Sequence, residues 1–205
     1  MTRPRVAGIC LLVAGCLVVA GLTVTQSRAG QQAPTPATAP SAPAPASDGA
    51  STVGPPESAG APLRISIPAI GVDAAVVGVG LRADGAMEVP AVDRAGWYQL
   101  GPRPGEPGPA VIVGHVDSRR GPAVFYRLRQ LHRGDGILVR RTGGTTAAFT
   151  VEAVEQQPKS TLPVGRIWNR TAEPVLRLIT CGGTFDRTSR HYRDNVIVYA
   201  KLSRP

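Results

Sequence analysis
Cysteine is scarce in this 205-residue chain, and its placement makes it scarcer still. Of the three cysteines, Cys10 and Cys16 lie inside an N-terminal apolar run, so Cys181 alone belongs to the part that folds. One thiol excludes an internal disulfide there, and in an oxidising compartment a lone thiol is a liability unless it is buried or used. No CxxC or HExxH spacing occurs, which removes the common structural and catalytic zinc patterns. No segment repeats at a fixed period, which excludes a solenoid or propeller array. Histidine is equally rare, limited to His115, His132 and His191.

What is present is unevenly spread. Most of the excess among the 20 prolines sits before residue 63. Of 23 Lys/Arg, all but Arg3, Arg5 and Arg28 lie beyond residue 60, against all but Asp48 and Glu57 of the 14 acidic residues, so the folded part is basic. Basic charge suits nucleic acid, anionic lipid or an acidic wall polymer. The arginines are scattered rather than grouped in one run, the pattern of a solvated basic surface, and nucleic acid is not an expected partner.

Arg3 and Arg5 precede the apolar run Val6–Thr25. Twenty helical residues span about 30 Å, the thickness of a bilayer's hydrocarbon core. The flanking charge predicts residues 1–29 as a cytoplasmic tip and single membrane span, with the domain outside the cell. A cleaved signal peptide remains open. So does a lipoprotein signal at Val13-Ala14-Gly15-Cys16, although the apolar run continues nine residues past that cysteine. Residues 30–61 are rich in Ala, Pro, Ser and Gly, with Val53 the only branched aliphatic, too little apolar area to offset chain entropy. Their repeated Ala-Pro predicts an extended, semi-rigid spacer.

From residue 62 the pattern is that of a folded domain reaching to residue 205. Leu63, Ile65 and Ile67 alternate with Arg64 and Ser66, the period of a half-buried strand, and Pro68 interrupts it. Further strands are expected over residues 74–79, 110–113, 136–140, 147–154, 175–180 and 196–202, separated by turn signals that include Gly143-Gly144 and Gly182-Gly183. The main helix candidate is Ala123–Leu131, where Phe125, Leu128 and Leu131 share a face. Many short strands with few helices predict an all-β barrel or sandwich.

Three segments carry candidate chemistry. His115 follows the apolar run Val111-Ile112-Val113 and Gly114. Cys181 follows Leu178-Ile179-Thr180 and is expected at the end of a core strand, where a loop begins. The third is the arginine-rich stretch 187–193. Singly, a lone Cys reads as a small buried hydrophobe and a lone His as a loop residue. Together they have a use. A thiol nucleophile must be a thiolate, an imidazole can pair with it and later protonate a leaving amine, and an arginine can hold a developing oxyanion without changing protonation state. His132 and His191 read as surface histidines, and Trp97 and Trp168 as packing or pocket-wall residues.

At these residues the chain resembles the sortases, and among them the class F type found in actinobacteria. The resemblance spans residues 62–205. It rests on Ile65-Ser66-Ile67-Pro68-Ala69-Ile70-Gly71-Val72, on Val113-Gly114-His115, on Leu178-Ile179-Thr180-Cys181, and on Tyr192-Arg193-Asp194-Asn195-Val196-Ile197-Val198-Tyr199. It implies a closed eight-stranded β-barrel. It implies a transpeptidase that cleaves an LPxTG-like sorting signal between Thr and Gly, holds the acyl group on cysteine and passes it to an amine of a cell-wall precursor. Mapped onto this chain, Cys181 is the nucleophile, His115 the general acid/base and Arg193 the oxyanion and backbone holder. Arg190 is the second choice for that role and a substrate-binding candidate, and Thr180 is expected in the oxyanion pocket. The family's TLxTC reads Arg177-Leu178-Ile179-Thr180-Cys181 here, so arginine stands in place of the first threonine. Calcium-dependent relatives carry acidic residues near the barrel loops; no tight acidic cluster occurs in this sequence, and neither metal nor cofactor is expected. A non-catalytic basic module holding anionic wall polymer is the alternative from another class. An L,D-transpeptidase would show an HGC-type motif, which is absent.

Overall fold
The computed structural model describes residues 59–203. The expected membrane span, and the spacer as far as residue 58, lie outside the described residues. Ten strands follow in chain order: β1 (Pro62–Ile67), β2 (Val72–Val79), β3 (Ala95–Tyr98), β4 (Gly108–Val113), β5 (Asp117–Ser118), β6 (Gly121–Pro122), β7 (Gly136–Arg141), β8 (Thr146–Pro158), β9 (Pro174–Asp186) and β10 (His191–Leu202). One short helix, α1 (Val164–Ile167), lies between β8 and β9. Eight strands close into a barrel in the order β1-β2-β3-β4-β9-β10-β8-β7, while β5 and β6 form a separate two-stranded hairpin. The pairs β2–β3 and β4–β9 are parallel and the remaining barrel pairs antiparallel.

The barrel closes because nearly every strand alternates. Ile65 and Ile67 of β1, Ala74 and Val76 of β2, Ala110 and Ile112 of β4, Leu176 and Leu178 of β9, and Val196 and Val198 of β10 meet in one buried core. An eight-stranded barrel has an interior just wide enough for its own side chains to fill, and here they fill it. A second, smaller cluster sits on the outer face of the same strands: Val111, Ile197 and Tyr199 are covered by Ile167 of α1, with Ile179, Val113, Leu162 and Trp168 packed around them.

Several expectations shift against this frame. The segment Ala123–Leu131 is not an α-helix but a run of turns ending in one 3-10 turn, Leu128–Gln130. The shared apolar face is real, since Phe125, Leu128 and Leu131 are all buried in the main core. Three residues spaced to plug a barrel mouth do not need a continuous helix, and nine residues with no cap are short for one. The β3 strand is only four residues long and reads Ala-Gly-Trp-Tyr, too short for periodicity to show. Gly182-Gly183 do not end β9, which runs on to Asp186. Likewise β10 begins at His191 rather than Val196, so Arg193 lies within the last strand and not ahead of it.

Candidate active site
Alternation along β9 decides what Cys181 faces. Leu176 and Leu178 point into the barrel, whereas Arg177, Ile179 and Cys181 form a row on the outside. The thiol is therefore half-buried on an outer strand face, not at a strand end. Its neighbour Thr180 faces inward and is 4 % exposed. The Thr180 hydroxyl donates to the Gly114 carbonyl at 2.8 Å. The Thr180 side chain thus ties β9 to the histidine segment.

The same bond carries the histidine into register. In the parallel β4–β9 pair, Val113 lies opposite Ile179. The pairing outlasts β4, because Gly114 N–H donates to Ile179 O at 3.1 Å before Thr180 returns its hydroxyl to Gly114. The offset between partners is 66 residues, the separation of His115 from Cys181. His115 is the next residue after this last contact, so the register leads the histidine segment toward the strand position of Cys181. Glycine at 114 is required by close approach: a Cβ there would lie 2.6 Å from the ring of Phe125. Phe125 is fully buried, and its N–H donates to His115 O at 2.9 Å, so the barrel plug also fixes the histidine backbone.

On the other side of β9, Asn195 of β10 is the direct partner of Cys181. Past it the ladder slips between Tyr192 and Asp194, and Gly183 on β9 takes a left-handed φ of 74°. This is a bulge, and it bends the hairpin tip. A Cβ at Gly183 would also strike the Asp194 carboxylate at 2.2 Å. Asp194 in turn accepts from Gln156 Nε2 at 2.7 Å. The Arg193 side chain is 68 % exposed and reaches Asp186 Oδ2 at 3.3 Å. Backbone N–H groups of Ser189 and Thr188, and then Arg193 itself, hold the Asp186 carboxyl below the usual carboxylate range. Arg190 sits exposed in the tight turn before β10, with a φ of 59°. Of the two arginines, Arg193 is the one on the strand beside the thiol.

Lys159 and Asp117 were not singled out in the sequence. Lys159, just after β8, donates from Nζ to Cys181 Sγ at 3.7 Å. Apart from Lys201 it is the only lysine in a chain of arginines, the one compositional signal that marked it. Asp117 of β5 accepts a hydrogen bond from the Tyr192 hydroxyl. That bond, with burial adding to it, pushes the Tyr192 phenol up to about 12. Farther along the outer row, Arg177 is buried and stacks on the Tyr199 ring at 4.8 Å, with Arg166 over the same ring at 4.1 Å. Burial pushes the Arg177 guanidinium below its ordinary value. Trp97 packs in the core and donates to Pro102 O at 3.0 Å. Trp168 packs edge-on against Tyr98 and lines a cavity of about 410 Å³. Among the described residues no group of His, Cys, Asp and Glu is placed to hold a metal ion, and no helix is long and apolar enough to cross a membrane.

Residues 65–203, most of the chain, match the sortase domain. The chain belongs to the sortase family. Sortases are cysteine transpeptidases, and the non-catalytic wall-binding alternative gives way to that class. This sortase is also similar in fold to solved members of several kinds. Sortase C-1 from Actinomyces oris matches with a TM-score of 0.55 at 20% identity over 69% of this chain and 73% of that one. Sortase A from Corynebacterium diphtheriae matches with a TM-score of 0.56 at 17% identity, over 72% of this chain and 62% of that one. A Clostridium perfringens sortase D5 transpeptidase matches with a TM-score of 0.52 at 23% identity, over 70% and 79%. No curated protein matches this sortase by sequence.

Proposed function
We propose that this sortase is a class F-like enzyme that cleaves an LPxTG-like sorting signal between Thr and Gly and joins the acyl fragment to an amine of a cell-wall precursor. The observation that supports the reading is the parallel register of β4 and β9, which leads the His115 segment to the strand that carries Cys181, with Arg193 on the adjoining strand β10. The Cys181 thiolate attacks the threonine carbonyl carbon. The oxyanion forms beside Arg193, with Arg190 as the reserve candidate. As the C–N bond breaks, His115 gives its proton to the departing glycine amine. An incoming amine then attacks the thioester, His115 takes its proton, the C–S bond breaks and the thiolate returns. The extended signal lies along the outer row from Cys181 past Ile179, bounded by Leu162 and Ile197. The basic N-terminal tip, apolar run and Ala/Pro spacer support a single-pass anchor that holds the catalytic domain outside the cell.

The full-length chain, incubated with a quenched LPxTG-type peptide and triglycine, should release the glycine fragment and form the ligated product. Cys181→Ala should abolish both, and His115→Ala and Arg193→Ala should each lower the rate by orders of magnitude. Equal cleavage by Cys181→Ala sinks the reading. If Arg190→Ala is the inactive variant while Arg193→Ala is active, the arginine assignment moves to the turn.

A further inference from the structure
The chain leaves the barrel at His115 and returns as a hairpin. β5 pairs with β6, and Ala123 N–H closes the loop onto Val116 O at 3.1 Å. On the far side of the thiol, β9 and β10 also run past the barrel as a two-stranded ribbon, bent at the Gly183 bulge. One ribbon carries Arg193 and the other hairpin starts from His115. Across the gap between them, Tyr192 donates its hydroxyl to the Asp117 carboxylate, a link over 75 residues of sequence. Asp117 is two residues after His115, and Tyr192 is one before Arg193.

The tyrosine is held for this contact. It pairs with Phe185 across the ribbon, and the two rings meet edge-to-face with centroids 5.1 Å apart. Such pairs fix ring orientation beyond simple area burial.

We propose that Tyr192 and Asp117 are positioning residues that tie the histidine arm to the arginine arm and close the end of the cleft where the glycine leaves and the amine enters. The proposal rests on the reading of Cys181, His115 and Arg193 as the reacting set. Without the tie, the ribbon swings at Gly183, and the two arms no longer hold the geometry that acyl transfer needs. The same opening admits water to the thioester, so hydrolysis gains on transfer to the amine. The sorting signal binds along the outer row of β9, away from the tie, so its binding is largely spared.

The test uses the full-length chain with an LPxTG-type peptide and triglycine. Tyr192→Phe removes only the hydroxyl and keeps the ring on Phe185. It should lower kcat about three- to tenfold, the scale of one hydrogen bond, with KM for the peptide near the wild-type value. The ratio of hydrolysed to ligated product should rise. Asp117→Asn keeps a carbonyl acceptor and should retain more ligation than Asp117→Ala, and the Tyr192→Phe/Asp117→Ala double variant should be no worse than the poorer single one. Wild-type kcat and an unchanged product ratio in Tyr192→Phe would overturn the proposal while leaving the catalytic set intact. Residual cleavage by Cys181→Ala would instead overturn the reading beneath it.

Discussion
Leu176, Leu178 and Thr180 on one side of β9, and Arg177, Ile179 and Cys181 on the other, share a backbone and divide the protein's work between them. The inner row is closed on all sides by seven other strands. Its members need only be apolar and of the right volume, and Thr180 satisfies its hydroxyl locally on Gly114. The outer row is covered only in part, by α1 and the chain around it, and it changes character every second residue: a buried cation on an aromatic ring, then a branched aliphatic, then a thiol. Residues one position apart therefore answer to different requirements. A sheet closed upon itself has a rigid interior, and chemistry placed on its outside inherits that rigidity without disturbing the core.

The harshest way to break this comparison is to exchange the rows at one point. The double variant Thr180→Cys/Cys181→Thr keeps composition and sends the thiol inward. Peptide cleavage should fall by at least about a thousandfold, the scale of removing a covalent nucleophile, and iodoacetamide should no longer label the folded protein. A variant that still cleaves would mean the faces are not distinct. Next in size, Leu178→Ala in the inner row should lower unfolding free energy by about 2–5 kcal/mol in denaturant titration. Ile179→Ala, half-buried on the outer row, should lower it by only about 1 kcal/mol while raising KM for the sorting peptide.

A smaller effect sharpens the electrostatics of the outer face. Lys159 sits 3.7 Å from the sulfur but is itself exposed. In a solvent-like dielectric a unit pair at that distance is worth about 1 kcal/mol, so Lys159→Met should slow Cys181 alkylation at pH 7 about fivefold, and Lys159→Arg should restore most of it. Added salt should shrink the difference between wild type and Lys159→Met. The smallest effect concerns the tie between the arms. Tyr192 has its phenol pushed up to about 12, from 10.0, by Asp117. A raised acid favours the protonated form in the folded state. The tie's contribution to stability is thus complete below pH 10 and lost as pH rises through about 12. Wild type should lose more stability between pH 9 and pH 11.5 than Tyr192→Phe, measured by chemical denaturation at each pH.

Much of this was legible in the sequence because alternation is local. The strands at residues 62–67, 72–79 and 136–141 show their period in six to eight residues, and the apolar lead-ins to His115 and Cys181 marked both strands. What escaped depends on pairing, not on period. β3 is too short to declare itself, and the extension of β9 through Gly182 and Gly183 is enforced by β10, against the usual meaning of two glycines. Phe125, Leu128 and Leu131 were recognisable as one buried face, but the barrel mouth and not a helix period put them there. Lys159, Asp117 and Tyr192 are ordinary surface residues in sequence, and only the folded chain brings Lys159 to the thiol and Tyr192 to Asp117.

The parallel pairing of β4 with β9 also governs what change the chain can absorb. A parallel pair requires a long crossover, and here that crossover holds β5 through β8 and α1. The approach of the His115 segment to the strand of Cys181 depends on the register inside two short strands and not on the number of residues between them. Insertions in the intervening loops should leave that register intact, whereas deleting a single residue within Gly108–Val113 or between Pro174 and Cys181 would turn one of the two residues to the opposite face of the sheet. Loop grafts between sortases are therefore best cut outside those two segments.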